Sequence, residues 1–316
     1  MSSSLITIIG GSGFIGHHLV GRLAAQGHQI RIAVRDTERA AVLMTQGNVG
    51  QVVGMQTNIR NRQSIERAVA GADIVINLVG LLSEAGAQSF EKVHVEGAAM
   101  VAEAAKAAGA KQFMQMSALG ADLKSPSKYA RTKAEGEARV SEVFPGATII
   151  RPSVVFGNDD SFTLKFGQMA TLSPILPLLN GGKNLMQPIW IEDLVDAMTT
   201  ILGDASLQGK IYEFGGAEQL SLADIIGRIN EVTRRSVTIL PTPESAMKVM
   251  AFFMSLLPGE PPLTLDQVKL LKTDNIVTGE YPGLADLGIE PVHFTPATLA
   301  YLKRFRKGGG LNELHA

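Results

Sequence analysis

Three side chains in this sequence have the types and spacing for moving a proton at a carbonyl group. Tyr129 and Lys133 stand in the run Ser127-Lys128-Tyr129-Ala130-Arg131-Thr132-Lys133, and residues four apart on a helix project from one face and meet. A free Tyr titrates near ~10, so a phenolate useful near neutral pH needs a neighbouring cation to acidify it. Three pK units are roughly 4 kcal/mol, within reach of a partly buried ammonium close by. Tyr129 reads as the general acid/base, Lys133 as its electrostatic partner and a ribose donor, and Ser117 as the group that orients a substrate carbonyl. Ser117 follows Phe113-Met114-Gln115-Met116, a strand whose C-terminal end is where open parallel sheets bind ligands. The competing reading is a helix with a half-buried Tyr and a surface Lys.

What favours chemistry is the stretch upstream. Ile6-Thr7-Ile8-Ile9 runs straight into Gly10-Gly11-Ser12-Gly13-Phe14-Ile15-Gly16, the order strand, tight turn, helix that a dinucleotide pyrophosphate needs. Gly10 and Gly13 permit a close backbone approach. The N–H groups around Ser12, Phe14 and Ile15 open the next helix and receive phosphate, and Gly16 packs that helix on the strand. The second strand, Ile30 to Val34, ends in Arg35-Asp36. An acid here accepts from the ribose 2′-OH and selects NAD, whereas an Arg accommodates a 2′-phosphate. Arg35 comes directly off the strand, so NADP(H) is favoured, with NAD(H) left open by Asp36.

The elements that must position these groups follow in turn. Val49 to Val53 reads as a third strand leading to Asn58 and Ile59, where Asn58 either hydrogen-bonds an adenine amino group or caps a turn. A helix from about Ser64 to Ala70 precedes a fourth strand, Ile74 to Leu78, buried on both faces. Leu78, Val79 and Gly80 then carry backbone past the cofactor. Val93 to Ala108 reads as one long helix stopped by Gly109, ahead of the fifth strand.

The bulk numbers exclude several classes. The chain has 316 residues, 45% hydrophobic, with 29 basic against 30 acidic residues and a net charge of −1. That balance gives no field favouring nucleic acid. With no Cys and six scattered His, disulfide, thiol and metal chemistry are not expected. The opening Met1-Ser2-Ser3-Ser4 has no charged n-region or apolar h-region, and no window reaches the roughly 18 apolar residues of a membrane span. A cytoplasmic protein is expected, peripheral on the inner membrane if membrane-associated.

Taken in order, Gly10-x-x-Gly13-x-x-Gly16, Asn77-Leu78-Val79-Gly80, Ser117 and Tyr129-x-x-x-Lys133 resemble the motifs of the short-chain dehydrogenase/reductase superfamily, in its extended or atypical branch. Arg151-Pro152-Ser153-Val154-Val155-Phe156-Gly157 matches the segment that passes the nicotinamide in such proteins, which implies cofactor contacts for Pro152, Ser153 and Val154. In a further matching segment, Asp193 is expected to cap the following helix. Within that branch, Ser125 to Glu137, Phe156 to Phe162 and Leu263 to Val268 are similar to the nucleotide-binding accessory subunits of respiratory complex I and their alphaproteobacterial relatives. That resemblance implies tightly held NADPH and a role more structural than catalytic, and some relatives are linked to ubiquinone synthesis. The alternative is a freestanding NAD(P)H-dependent oxidoreductase or epimerase/dehydratase-like enzyme using Ser117, Tyr129 and Lys133. His94 stands where many active members place an Asn.

The expected fold is α/β, a doubly wound parallel (Rossmann) sheet over residues 1–216, with an insertion at about 159–184 and a smaller α/β lobe over 217–316. In the lobe, Ser221 starts a helix with Asp224 in its first turn. Residues 246–257 are apolar nearly all round, and Lys303-Arg304-Phe305-Arg306-Lys307 makes a basic tail. The helix is either lobe core, a lid over an apolar substrate, or a surface that docks on complex I subunits or a membrane.

Overall fold

The computed structural model describes residues 3–256 and 261–309. The β-branched run Leu5–Ile9 forms β1 and lies between Gln29–Val34 (β2) and Ile74–Asn77 (β4), every residue after Leu5 buried. Val52–Gln56 (β3), Gln112–Met116 (β5), Thr148–Pro152 (β6) and Ile211–Phe214 (β7) complete one sheet in the order β7-β6-β5-β4-β1-β2-β3. The pairings β1–β2, β2–β3, β1–β4, β4–β5 and β5–β6 are all parallel. The strand order reverses beside β1, and in such sheets the crevice at the C-terminal strand ends opens at that point. The Rossmann architecture is therefore present.

Helix α1 (Phe14–Ala25) ends at Gln26, with Gly27 beyond it at φ +86°. The third strand begins at Val52, three residues later than the hydrophobic run suggests. Gly50 adopts φ +78°, which breaks an extended run, and Val49 is left fully exposed. Helix α2 is Arg62–Val69, capped by Asn61, whose side chain accepts from the Ser64 N–H. The helix expected over 93–108 has two parts. Glu91–Gly97 is wound as π-helix, and only Ala98–Ala107 (α3) is α-helical. Wider π winding re-aims side chains relative to an unbroken α-helix. Helix α4, Lys128–Val143, carries Tyr129 and Lys133 and is capped by Ser127, whose hydroxyl accepts from the Ala130 N–H.

The chain forms two compact units that interleave along the sequence. The first comprises Met1–Arg151, Leu194–Glu213 and Gly279–Ile289; the second comprises Pro152–Asp193, Phe214–Thr278 and Glu290–Ala316. The first unit's core is aliphatic and alanine-rich, packing Ile65, Val69, Val75, Val101 and Phe113 together. Its returning segment places the Tyr281 ring 5.0 Å from the Arg151 guanidinium.

In the second unit, Phe156 meets Phe294 edge-on at 4.7 Å, inside a core with Leu176, Ile225 and Leu302. The helix Leu222–Thr233 has a complete capping box, Ser221 with Asp224. Asp193 does not cap a helix. The helix starts at Ile191, so Asp193 falls in its first turn, where its carboxylate accepts the Val292 N–H at 2.8 Å. The apolar stretch forms a helix over Glu244–Met254 that buries Met247 and Ala251 against Leu179 and Val268. Its other face leaves Val249, Phe252 and Phe253 exposed, with Leu256 just beyond; Leu257 lies outside the described residues. The basic tail packs on the second unit through residues 302–306. Leu302 is buried, Phe305 covers Gly167, the Arg306 Nε donates to the Val232 carbonyl, and Arg304 faces Asp159. Gly310 and later residues lie outside the described residues, as do Met1 and Ser2. No helix of the described residues is long and apolar enough to cross a membrane.

Candidate nucleotide site

At the C-terminal end of β1, Gly10 adopts φ +80°, and a Cβ placed on it would lie 2.8 Å from Val79 Cγ2. A side chain at Gly16 would strike the Gly11 carbonyl. These two positions require Gly: one for the turn, the other to seat α1 against that turn. Gly13 caps α1 without any side-chain bond and is exposed, with Phe14 and Ile15 half-buried behind it. The first-turn N–H groups of a helix have no intrahelical acceptors, so here they and Ser12 form an open, electropositive cradle. A pyrophosphate suits such a cradle, whose turn and helix packing a Cβ at Gly10 or Gly16 would disrupt.

Beside the cradle, Asn77 fixes the next turn. Its Nδ2 donates to Gln115 Oε1 at 2.9 Å and its Oδ1 accepts the Val79 N–H at 3.2 Å, all within the buried sheet. Leu78 and Val79 are consequently half-buried and Gly80 exposed. Lys133 Nζ donates to the carbonyl of Met116 at 3.2 Å and would sit 3.3 Å from a Cβ on Gly80. The hydroxyl of Ser117, one residue past Met116, is buried and has no hydrogen-bond partner among the described residues. An unpaired buried hydroxyl costs free energy.

Tyr129 lies in an aromatic corner. Phe90 and His94 stack at 5.3 Å, and Tyr129 meets each ring edge-on, at 5.8 Å and 5.5 Å. The Lys133 ammonium is 6.0 Å from the Tyr129 ring centroid. The expected acidification of Tyr129 by Lys133 does not appear in this state. Burial pushes the phenol up to about 12 and the Lys133 ammonium down to about 8, Glu137 partly offsetting the latter. Desolvation outweighs the pair's mutual effect.

Burial, and then the Lys133 charge, push His94 down to about 3, so its ring is neutral. Nε2 accepts the Leu81 N–H at 3.0 Å. The single ring proton is therefore on Nδ1, 3.1 Å from Thr132 Oγ1, and Thr132 donates in turn to the Tyr129 carbonyl. Phe90 and Thr132 were not singled out by sequence, and Asn77 only as part of a motif. The spacing Phe90-x-x-x-His94 was the available signal, and the π winding hid it.

Away from the triad, Arg35 is exposed at the end of β2. Asp36 accepts the Glu38 N–H at 3.0 Å and faces Arg39 at 3.6 Å. Asn58 Oδ1 accepts the Arg60 N–H at 3.1 Å, the turn-capping arrangement, with Ile59 buried beneath it. In the second unit, Pro152 and Ser153 are buried and Val154 half-buried. The Ser153 hydroxyl lies 2.7 Å from Asn275 Oδ1. Among the described residues no three His, Asp or Glu side chains are grouped as metal ligands.

Residues 6–215 match the NAD dependent epimerase/dehydratase family. The chain belongs to that family. The chain's fold is also that of a solved NADPH-dependent quinone oxidoreductase from Escherichia coli complexed with NADPH, with a TM-score of 0.73 and 20% identity over 93% of this chain and 98% of the other. The chain is also homologous to complex I subunits. It is 32% identical to the mitochondrial NADH dehydrogenase [ubiquinone] 1 alpha subcomplex subunit 9 of Mus musculus, over 97% of this chain and 81% of that one. With the mitochondrial NADH-ubiquinone oxidoreductase 40 kDa subunit of Neurospora crassa the identity is 31%, over 95% and 79%. The chain therefore has the dinucleotide-binding fold of its family.

Proposed function

We propose that this protein is an NADP(H)-holding accessory component of a respiratory NADH:ubiquinone oxidoreductase. The observation that carries the reading is the extent of the similarity to mitochondrial complex I subunits, 97% of the chain. It runs beyond the matched family segment, 6–215, into the C-terminal third. In this reading the cradle of Gly10, Ser12, Gly13, Phe14, Ile15 and Gly16 receives the pyrophosphate. Asn58 and Ile59 border the adenine, Leu78 to Gly80 carry the nicotinamide half, and Tyr129 and Lys133 hold its ribose. NADPH over NADH is supported by the ribose end. The Asp36 carboxylate is already engaged by Glu38 N–H and Arg39, and exposed Arg35 offers a planar fork of donors for a 2′-phosphate. Bound NADPH supplies a hydride, and the protein's part is to hold it. The exposed face of the helix Glu244–Met254 is the surface by which the second unit meets its subunit partners at the inner membrane.

A second reading, a freestanding oxidoreductase, is favoured by the buried, unpartnered Ser117 hydroxyl at the strand end, the placement for orienting a substrate carbonyl. One experiment separates the two: mass spectrometry of the nucleotide that co-purifies, followed by stopped-flow mixing with a ubiquinone analogue. Retained NADPH that the quinone leaves reduced supports the accessory reading. Rapid oxidation, abolished in Tyr129→Phe, overturns it in favour of the enzyme, and retained NAD would mean that Asp36 reads the ribose.

A further inference from the structure

We propose that His94 is a positioning residue whose ring ties the Gly80–Leu81 turn to helix α4, and that this tie sets how long a bound dinucleotide is retained. The argument starts from the backbone. The π winding of Glu91–Gly97 brings His94 against α4 so closely that a side chain at Gly136 would collide with the His94 carbonyl. Gly97 is packed closely too, though less severely: a Cβ there would lie 3.0 Å from both Ile59 Cγ1 and the Lys92 carbonyl. Glycines on both sides thus let the His94 segment sit where its ring reaches two elements at once.

The ring's two nitrogens are then committed in opposite directions. Leu81 N–H can only donate, so Nε2 accepts. Nδ1–H goes to Thr132 Oγ1, and the Thr132 hydroxyl hydrogen goes to the Tyr129 carbonyl. The result is a one-way chain of hydrogen bonds from the 78–81 turn to the first turn of α4. Stacking on Phe90 fixes the plane of the ring. A Cβ on Gly80 would come within 4.0 Å of His94 Nε2 and 3.3 Å of Lys133 Nζ, so the turn is held between the same two side chains. With both nitrogens occupied, His94 has no donor or acceptor left for a reacting group; it acts through the backbone it holds.

The inference rests on the dinucleotide reading of the site, and the test keeps the two apart. The dissociation rate of NADPH is followed by its fluorescence in the full-length protein and in variants at position 94. In His94→Gln the side-chain oxygen takes the place of Nε2, keeping the Leu81 bond and losing the one to Thr132, whereas in His94→Asn the amide takes the place of Nδ1, keeping the Thr132 bond and losing the one to Leu81. Each variant cuts the tie at one end, so both are expected to release NADPH roughly tenfold faster than the parent, the scale of one lost hydrogen bond. Thr132→Val, with Thr132→Ser as its conservative control, cuts the α4 end without touching position 94. Val should also accelerate release and Ser should not. Parent-like release rates in Gln and Asn, or in Thr132→Val, overturn the proposal and leave the nucleotide site standing. A parent protein that binds neither NADPH nor NADH overturns the site itself.

Discussion

A Cβ on Gly136 would fall on the carbonyl oxygen of His94. The π-helical segment and α4 therefore meet backbone to backbone at this point, and no side-chain movement can relieve a larger residue. Gly136→Ala is expected to cost about 1–3 kcal/mol, the usual range for overpacking a tight interior, despite the better helix propensity of Ala. Urea denaturation of the two proteins checks it; a variant as stable as the parent would show that the segments separate easily.

Gly10 combines φ +80° with a 2.8 Å approach of Val79 Cγ2 to any added Cβ. Gly10→Ala should lose about 1–2 kcal/mol from the left-handed backbone alone and should also push the Val79 side of the turn away from the cradle. The purified variant is expected to carry much less nucleotide than the parent, as read by absorbance at the nicotinamide band. Equal occupancy would mean that the turn is not where the pyrophosphate sits.

Arg151 is flanked by two buried acids, Glu137 at 2.6 Å and Glu213 at 3.4 Å. Removing the cation leaves both carboxylates without it in a dry environment. Arg151→Met should cost about 3–5 kcal/mol, much more than Lys111→Met at the exposed Lys111–Asp73 pair. Comparable losses in melting temperature for the two would contradict this.

Acid should destabilise the protein partly through His94. Its folded value near 3 lies below the ordinary 6.5, so the unfolded chain takes up a proton that the folded one refuses. The resulting stability is complete above about pH 6.5 and declines as pH falls toward 3. The neighbouring Lys133 is charged throughout that window and Tyr129 neutral. His94→Gln lacks this linkage, so its stability deficit against the parent should shrink by about 1.4 kcal/mol per pH unit between 6.5 and 4.5. Parallel stability–pH curves would refute it.

Much of this was legible from local sequence, because the signals are local. The β-branched run before Gly10 and the glycine spacing through Gly16 specify a strand, a turn and a helix within a dozen residues, where backbone sterics leave few choices. The four-residue interval between Tyr129 and Lys133 placed both on one face of a common helix. Ser221 and Asp224 likewise announced the helix they cap, and the alternation of strands and helices specified the sheet.

Tertiary structure decided what depends on residues distant in the chain. It brought Gly279–Ile289 back to the first unit, setting Tyr281 over Arg151, and gave Asp193 the Val292 N–H in place of a helix cap. Neither contact has a periodicity to betray it. It also determined which face of Glu244–Met254 is buried, since a helix apolar all round carries no preference of its own. Above all it reversed the expected electrostatics of Tyr129. Spacing puts a cation near the phenol, but how far desolvation raises the one and lowers the other depends on Phe90 and His94, brought there by a π turn that no hydrophobic pattern encodes.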